Sequence, residues 1–519
     1  MATNSSYIEA ASDASHYPSS LPPALRELTI SQALFYAFIL LTSYRSFDAY
    51  RKRANVPGVG FSSIPILSSW IAAYRFTRAP LKLMTEGVTK YKPGYFRIAT
   101  IQGEYVMVTD RNKVQEFLRQ PDDVLSMQEA ANDQQQIPFT MGWGIGHATY
   151  HNQVVRVHLT KSIEHRIEDM VDEIRHAFDD LIGAPADYQP VHIYKVIAMS
   201  VARTSNRIMV GKDFSENTEF LELAIAYAEA VVISAELIRA FPDWMKHVLI
   251  RLTPAWSRRW KAMKHLKPML EKRLAGDFDG GKKPDDLMQW LMDAAPPGEE
   301  RTIPKLVERI MSMNVASIHT TTMTFTGALY KLAAEPEKYM PELRAELEEV
   351  LAEGPLSKDR IAKLKKMDSF LRESARYNNA GLMAVQRNAK KQFTFSDGTV
   401  IPAGAKVGTP TRFLQRDPTI YDNPEVFDGF RFSRLRDQTE GPATQYQMVS
   451  TAPELHVFGH GKHACPGRFF AVTEMKLMFA ELITRYDMKL APGTGVNETF
   501  IATMAIPDTK LNILMKTRS

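Results

Sequence analysis

The 519-residue sequence has a single cysteine, Cys465. One thiol excludes an internal disulfide and every metal site that needs two thiolates from the same chain. Internal repeats, low-complexity tracts and glycine-rich dinucleotide fingerprints are missing as well. Charge of one sign is scarce: 64 Lys and Arg face 59 Asp and Glu, for a net +5. So small an excess excludes a dense nucleic-acid binder, which concentrates Lys and Arg on one domain. Hydrophobic residues at 45% and charged residues at 24% are ordinary globular usage and exclude global disorder. Methionine is plentiful, at 25 residues, and suits irregular apolar pockets or gaps in a core.

Only one long run lacks charge. Residues 28–44, LTISQALFYAFILLTSY, carry none, and Arg45, Asp48, Arg51, Lys52 and Arg53 follow. As a helix the run spans about 26 Å, enough for a thin bilayer. The basic cluster keeps its own side cytoplasmic. The expected organisation is a lumenal tail at 1–27, a transmembrane anchor at 28–44, a basic Pro-Gly hinge at 45–60 and a cytoplasmic body at 61–519. An amphipathic or buried helix is the alternative reading of 28–44. Asn4 and Asn497 head glycosylation sequons, the first expected lumenal and the second cytoplasmic.

The body reads as mainly α with a minor β component. Residues 95–110 alternate like a hairpin around Gly103. Residues 163–182 place Ile163, Ile167, Met170, Val171, Ile174 and Phe178 at helical spacing. Residues 276–286 form a turn-rich loop, and LMQWLMDAA after it forms a short helix. A long helix runs from about Ile303 to Ala334, with Pro304 in its first turn and Pro336 forbidding continuation. Its nearly uncharged middle predicts a rod crossing the interior. Residues 393–410 are β-rich, and a helix follows from about Pro466 to Tyr486. Residues 253–270 interleave Trp256 and Trp260 with basic residues, as a helix at lipid headgroups or a solvated face would.

The most informative segment surrounds the thiol: Phe458-Gly459-His460-Gly461-Lys462-His463-Ala464-Cys465-Pro466-Gly467-Arg468. The glycines allow close backbone approach to a bulky group. Pro466 suits a helix start, whose dipole favours thiolate on Cys465. A thiolate there could ligate a metal or act as a nucleophile, and a lone buried cysteine is often inert. The pattern Phe458, Gly461, His463, Cys465, Gly467 resembles the haem-binding loop of the cytochrome P450 superfamily, with His463 where arginine is commoner. Glu373 and Arg376 resemble its Glu-x-x-Arg element, a pair on one helix face. The segment Phe427-Asp428-Gly429-Phe430-Arg431 resembles the loop whose arginine, here Arg431, joins that pair in a structural triad. Ala316-Ser317-Ile318-His319-Thr320-Thr321 resembles the oxygen-activating stretch, with His319 where an acid is usual.

The resemblance implies a cytochrome P450 fold behind the anchor and haem b held through Cys465. It places Phe458, Gly461, His463, Gly467, Arg387 and Arg156 around the haem. Asn152 stands where a tryptophan often accompanies the last of these. Thr320 and His319 would manage oxygen and protons. On the residues alone, Thr320, Thr321 and Thr322 equally suit bonding back to helix carbonyls. Met313, Ala316, Ser317, Ala380, Gly381, Leu382, Met383 and Val385 would wall an apolar substrate pocket. Electrons would come from NADPH through a separate cytochrome P450 reductase, with cytochrome b5 as a further donor. Lys462, Arg468 and Lys476 are the expected docking cations. The expected setting is the endoplasmic reticulum membrane. The expected reaction is hydroxylation of a lipophilic metabolite, a fungal diterpene or related terpenoid by similarity to the ent-kaurene oxidase branch, using O2. An alkaloid, polyketide or meroterpenoid substrate is the runner-up. A reductase-independent peroxygenase or isomerase, a haem sensor and a thiol hydrolase are the competing classes.

Overall fold

The computed structural model describes residues 29–64, 67–378, 381–501 and 503–519. It divides into two compact units, Met1–Arg51 and Lys52–Ser519. In the first, one helix spans Ile30–Arg51. Among the described residues no helix is long and apolar enough to cross a membrane. The expected anchor overlaps this helix, but the helix continues through Arg45, Asp48 and Arg51, so its second half is polar. Leu40, Tyr44, Phe47 and Tyr50 are exposed on it. The tail at 1–27, with Asn4, lies outside the described residues.

The second unit is mainly helical. Its axis is the helix Ile303–Ala334, entered at Thr302 with Pro304 in the first turn, where a missing N–H breaks no helical bond. Met311, Asn314, Ile318, Thr322 and Phe325 are buried along it. Helices Ile193–Met209, Thr218–Arg239, Pro254–Leu274 and Lys365–Tyr377 pack most closely against it, and Arg468–Arg485 touches it as well. The expected rod through the interior is therefore present. The helix expected at 163–182 spans Thr160–Leu181 and buries Ile163, Ile167, Met170, Ile174 and Phe178. Helix Pro254–Leu274 buries Ala255, Ala262, Leu266 and Leu270 and exposes Trp260, while the Arg259 guanidinium lies 4.5 Å from the Trp256 ring.

A five-stranded sheet forms the minor β component. Its order is Tyr95–Thr100, Gly103–Val108, Lys406–Thr409, Ala384–Ala389, Leu125–Ser126. The first two strands are the expected hairpin, closing at Thr100 opposite Gly103, whose φ of 115° favours glycine. Strand Ala384–Ala389 shifts register between Ala384 and Arg387. Val385 sits in that bulge at φ 47°, a strained conformation for a β-branched residue. A second sheet places Ile513–Thr517 between Gln189–Val191 and Tyr486–Lys489, both antiparallel to it. Residues Phe393–Thr394 and Val400–Ile401 pair separately.

Candidate active site

The loop before the last long helix is set by two left-handed glycines, Gly459 at φ 66° and Gly461 at φ 71°. Any side chain there would be strained. The turn lets the Cys465 N–H donate to the Phe458 carbonyl at 2.8 Å. Helix Arg468–Arg485 begins three residues later. Burial pushes the Cys465 thiol above its ordinary value, while the backbone N–H groups of Gly467 and Arg468 and the Arg468 charge pull it down. The helix start favours thiolate as expected, but desolvation outweighs it. Cys465 nevertheless keeps accessible surface. Cys465 thus combines a crowded thiol with accessible surface. Gly467, at φ −85°, needs no glycine for its backbone, and a Cβ there would meet Val155 only at 3.8 Å. The missing side chain leaves room for a flat group.

Cationic and donor groups surround this loop. Arg387 is buried, its NH1 donating to the Gln386 carbonyl at 2.8 Å, with no carboxylate at ion-pair distance among the described residues. Burial lowers it to about 10, and the Asp122 charge works against that. His463 Nε2 lies 2.7 Å from Asp122 Oδ1, but neither atom has a well-directed hydrogen-bond partner. Buried His456, held at about 4 by desolvation, has an unpartnered Nε2. Arg156 lies on a short π-helical stretch, Val155–Leu159, and its charge reaches Arg468. Phe458 packs half-buried against the main core. His151, beside the missing tryptophan, is engaged elsewhere: Arg309 NH1 lies 2.6 Å from its Nδ1.

On the central helix, Ala316 and Thr320 are exposed one turn apart, and Met313 and Ser317 are half-buried. Ile318, Thr321 and Thr322 on the other side are buried. One face of a core helix therefore borders open space. The Thr320 hydroxyl donates to the Ala316 carbonyl at 2.7 Å, and that of Thr322 to Ile318 at 2.7 Å. The back-bonding reading holds for both, yet the Thr320 oxygen keeps its lone pairs for an incoming donor. His319 Nε2 lies 3.2 Å from the Ile225 carbonyl on helix Thr218–Arg239.

Glu373, Arg376 and Arg431 come together. Arg376 donates to Glu373 from Nε at 2.7 Å and NH2 at 2.8 Å, and to the carbonyls of Gln415 and Pro424. Arg431 Nε lies 3.2 Å from both Glu373 oxygens. All three are buried.

Several expectations change. Lys476 is buried and lies 2.7 Å from Asp368, so it is unavailable to a docking partner. Lys462 is exposed, 3.2 Å from Asp122. Arg468 is half-buried and donates to the Val449 and Cys465 carbonyls. Leu382 has no accessible surface and Met383 only 5%; both pack with Phe76, Phe96 and Met107, behind any pocket wall. Gly381 and Val385 are half-buried. Ala380 lies outside the described residues.

Two groups escaped the sequence reading, the half-exposed Asp122 and the buried Glu474. Asp122 sits beside the cysteine loop. Glu474 is fully buried; Ser205 donates to it at 3.0 Å and its second oxygen has no partner. Burial raises it to about 8 from 4.5. The folded chain thus holds this proton where the unfolded chain releases it. Stability contributed by the protonated form should fall by about 1.4 kcal/mol per pH unit between about pH 4.5 and 8, then level off. Glu474→Gln should flatten that slope, measured as urea midpoints at pH 6, 7 and 8; parallel slopes for the two proteins would refute it.

The donor set suits an iron porphyrin: one soft sulfur, room over Gly467, and the buried Arg387, which has no carboxylate at ion-pair distance among the described residues. The cytochrome P450 family model matches residues 59–515. The chain belongs to the cytochrome P450 family. It is 35% identical over 474 residues to cytochrome P450 monooxygenase 151 of Postia placenta, covering 89% of this chain and 94% of that one. It is 32% identical over 514 residues to cytochrome P450 monooxygenase AN1598 of Emericella nidulans, covering 96% and 94%. In fold it is similar to retinoic acid-bound cyanobacterial CYP120A1, with a TM-score of 0.67 at 16% identity, covering 90% of this chain and all of that one. The two fungal relatives are P450 monooxygenases, an oxidoreductase family. The family uses haem, and generally O2, a redox partner and a small-molecule substrate.

Proposed function

We propose that this P450 hydroxylates a lipophilic secondary metabolite, a fungal diterpene or related terpenoid, with O2 and electrons from NADPH through a reductase. The observation that carries the chemistry is the Cys465 sulfur, accessible in a crowded site and approached by two backbone N–H groups. Cys465 would hold the iron of haem b, and Arg387, His463 and Arg156 would take the propionates. Haem ligated by thiolate supplies oxygen activation, because the anionic sulfur donates electron density to the iron. Thr320, its proton committed to Ala316, accepts a hydrogen bond from a water in the cavity. His319, held by the Ile225 carbonyl through Nε2, leaves Nδ1 to exchange a proton with that water. The triad of Glu373, Arg376 and Arg431 orders the fold around the loop and takes no part in oxidation.

Met313, Ala316 and Val385 offer apolar surface without fixed charge, which favours a lipophilic substrate. Membrane attachment fits the uncharged run at 28–44 and an exposed apolar group on the second unit: Leu237, Trp244, Val248 and Leu252. We place the enzyme at the endoplasmic reticulum with its body in the cytoplasm. Lys462 and Arg468 remain as reductase-docking cations, with cytochrome b5 as an auxiliary donor.

The test uses the full chain with its reductase in microsomes. Diterpene hydrocarbons should shift the haem spectrum on binding and yield hydroxylated products only with NADPH and O2. Thr320→Ala should keep consuming NADPH while product per NADPH falls about tenfold or more. Undiminished coupling would remove Thr320 from the proton path. Turnover driven by peroxide alone would point to a reductase-free enzyme.

A further inference from the structure

The cysteine loop is hinged at Gly459 and Gly461 and needs anchors from outside itself. Its side-chain anchors are few. His460 Nδ1 lies 3.1 Å from the Thr451 hydroxyl. Among the described residues, every carboxylate that comes within ion-pair distance of a side chain in 458–467 is one group, Asp122. Lys462 Nζ lies 3.2 Å from its Oδ2 and His463 Nε2 2.7 Å from its Oδ1. Both partners belong to a single 3-10 turn, Gly461–His463, two residues from Cys465. The buried Arg387 charge also interacts with Asp122. Asp122 itself lies in the connection between helix Arg111–Leu118 and strand Leu125–Ser126, far from the loop in sequence.

We propose that Asp122 is a positioning residue that pins the thiolate loop, so that Cys465 is held ready for the iron and haem is retained. The inference rests on Cys465 being the iron ligand. Asp122 acts on the Lys462–His463 turn and not on the sulfur: Lys462 Nζ donates to its Oδ2, and His463 Nε2 lies against its Oδ1. Partners that orient a metal ligand from behind typically change metal affinity 10- to 100-fold when removed.

The experiment follows haem transfer from purified holoprotein to excess apomyoglobin, together with the reduced carbon monoxide spectrum. Asp122→Asn should form a haem-thiolate protein that loses haem about 10- to 100-fold faster than wild type. Its red-shifted Soret band should also decay faster on mild warming. Asp122→Glu should restore most of the retention. Asp123→Asn, next door and paired only with exposed Lys391, should match wild type. Lys462→Met, which keeps His463, should lose haem faster than wild type too, and adding Asp122→Asn to it should change less than Asp122→Asn does alone. Wild-type retention in Asp122→Asn, or an undiminished effect of it in the Lys462→Met background, would overturn the proposal. If Asp122→Asn yields no folded protein, Lys462→Met decides: wild-type retention there overturns the proposal. A wild-type protein without any thiolate Soret band would instead overturn the haem reading beneath it.

Discussion

Cys465→Ala is expected to leave a folded protein whose reduced carbon monoxide complex lacks the red-shifted Soret band, with no detectable monooxygenase turnover. The fold should survive because the change removes one sulfur and leaves the backbone bonds and the outside anchors of the loop in place. The Cys465 N–H still donates to Phe458, and the Gly461 and Gly459 turns remain. What disappears is the only soft anionic donor that the chain can offer. Alanine cannot ligate, and the Gly467 and Arg468 N–H groups lose the acceptor they approach. Without sulfur behind the iron, the electron donation that favours O–O cleavage is gone. Near-ultraviolet circular dichroism would confirm the fold and the difference spectrum the loss. A variant that keeps the band would place the ligand elsewhere.

Removing the Glu373 carboxylate is the second large effect. Glu373→Ala leaves Arg376 and Arg431 buried with no counter-charge. The pair Glu373–Arg376 has no solvent access at all. Breaking a buried pair from one side typically costs about 3–5 kcal/mol, a large share of the 5–15 kcal/mol that holds a protein folded. Recovery of haem-bearing protein should collapse, and what remains should melt many degrees lower. Arg376→Lys should be nearly as harmful. A lysine ammonium cannot serve two Glu373 oxygens and the carbonyls of Gln415 and Pro424 with one fixed fork. Soluble expression and thermal melts of both variants test this. Near-wild-type stability in Glu373→Ala would make the triad dispensable.

The elements legible in the sequence were those with local punctuation. The central helix could be read because prolines mark both ends and its middle lacks charge. The hairpin at 95–110 announces itself by alternation around Gly103. The triad was legible only through the family resemblance of Glu373, Arg376 and the loop of Arg431, since the spacing of the first two alone suits a surface ion pair as well. Contacts between distant segments were not legible. Asp122 meets Lys462 across 340 residues, and no local pattern marks it. His319 finds its partner carbonyl on a helix 94 residues earlier. Lys476 looks like a surface cation in sequence, yet Asp368 draws it into the interior. Leu382 reads as pocket wall because it is apolar and near the right segment, but the sheet beside it claims its whole surface. Val385 contradicts ordinary backbone preference, since only the surrounding bulge can hold a valine at positive φ.

The small sheet has a consequence for how the chain is made. Strand Gln189–Val191 leaves the ribosome long before Ile513–Thr517, its sole neighbour in that sheet. Throughout that interval the early strand is an unpaired edge in a nascent polypeptide. Pro190, opposite Leu514 in the finished register, offers no N–H to a wrong partner. Proline at that position takes one donor away from an edge whose partner is among the last residues made.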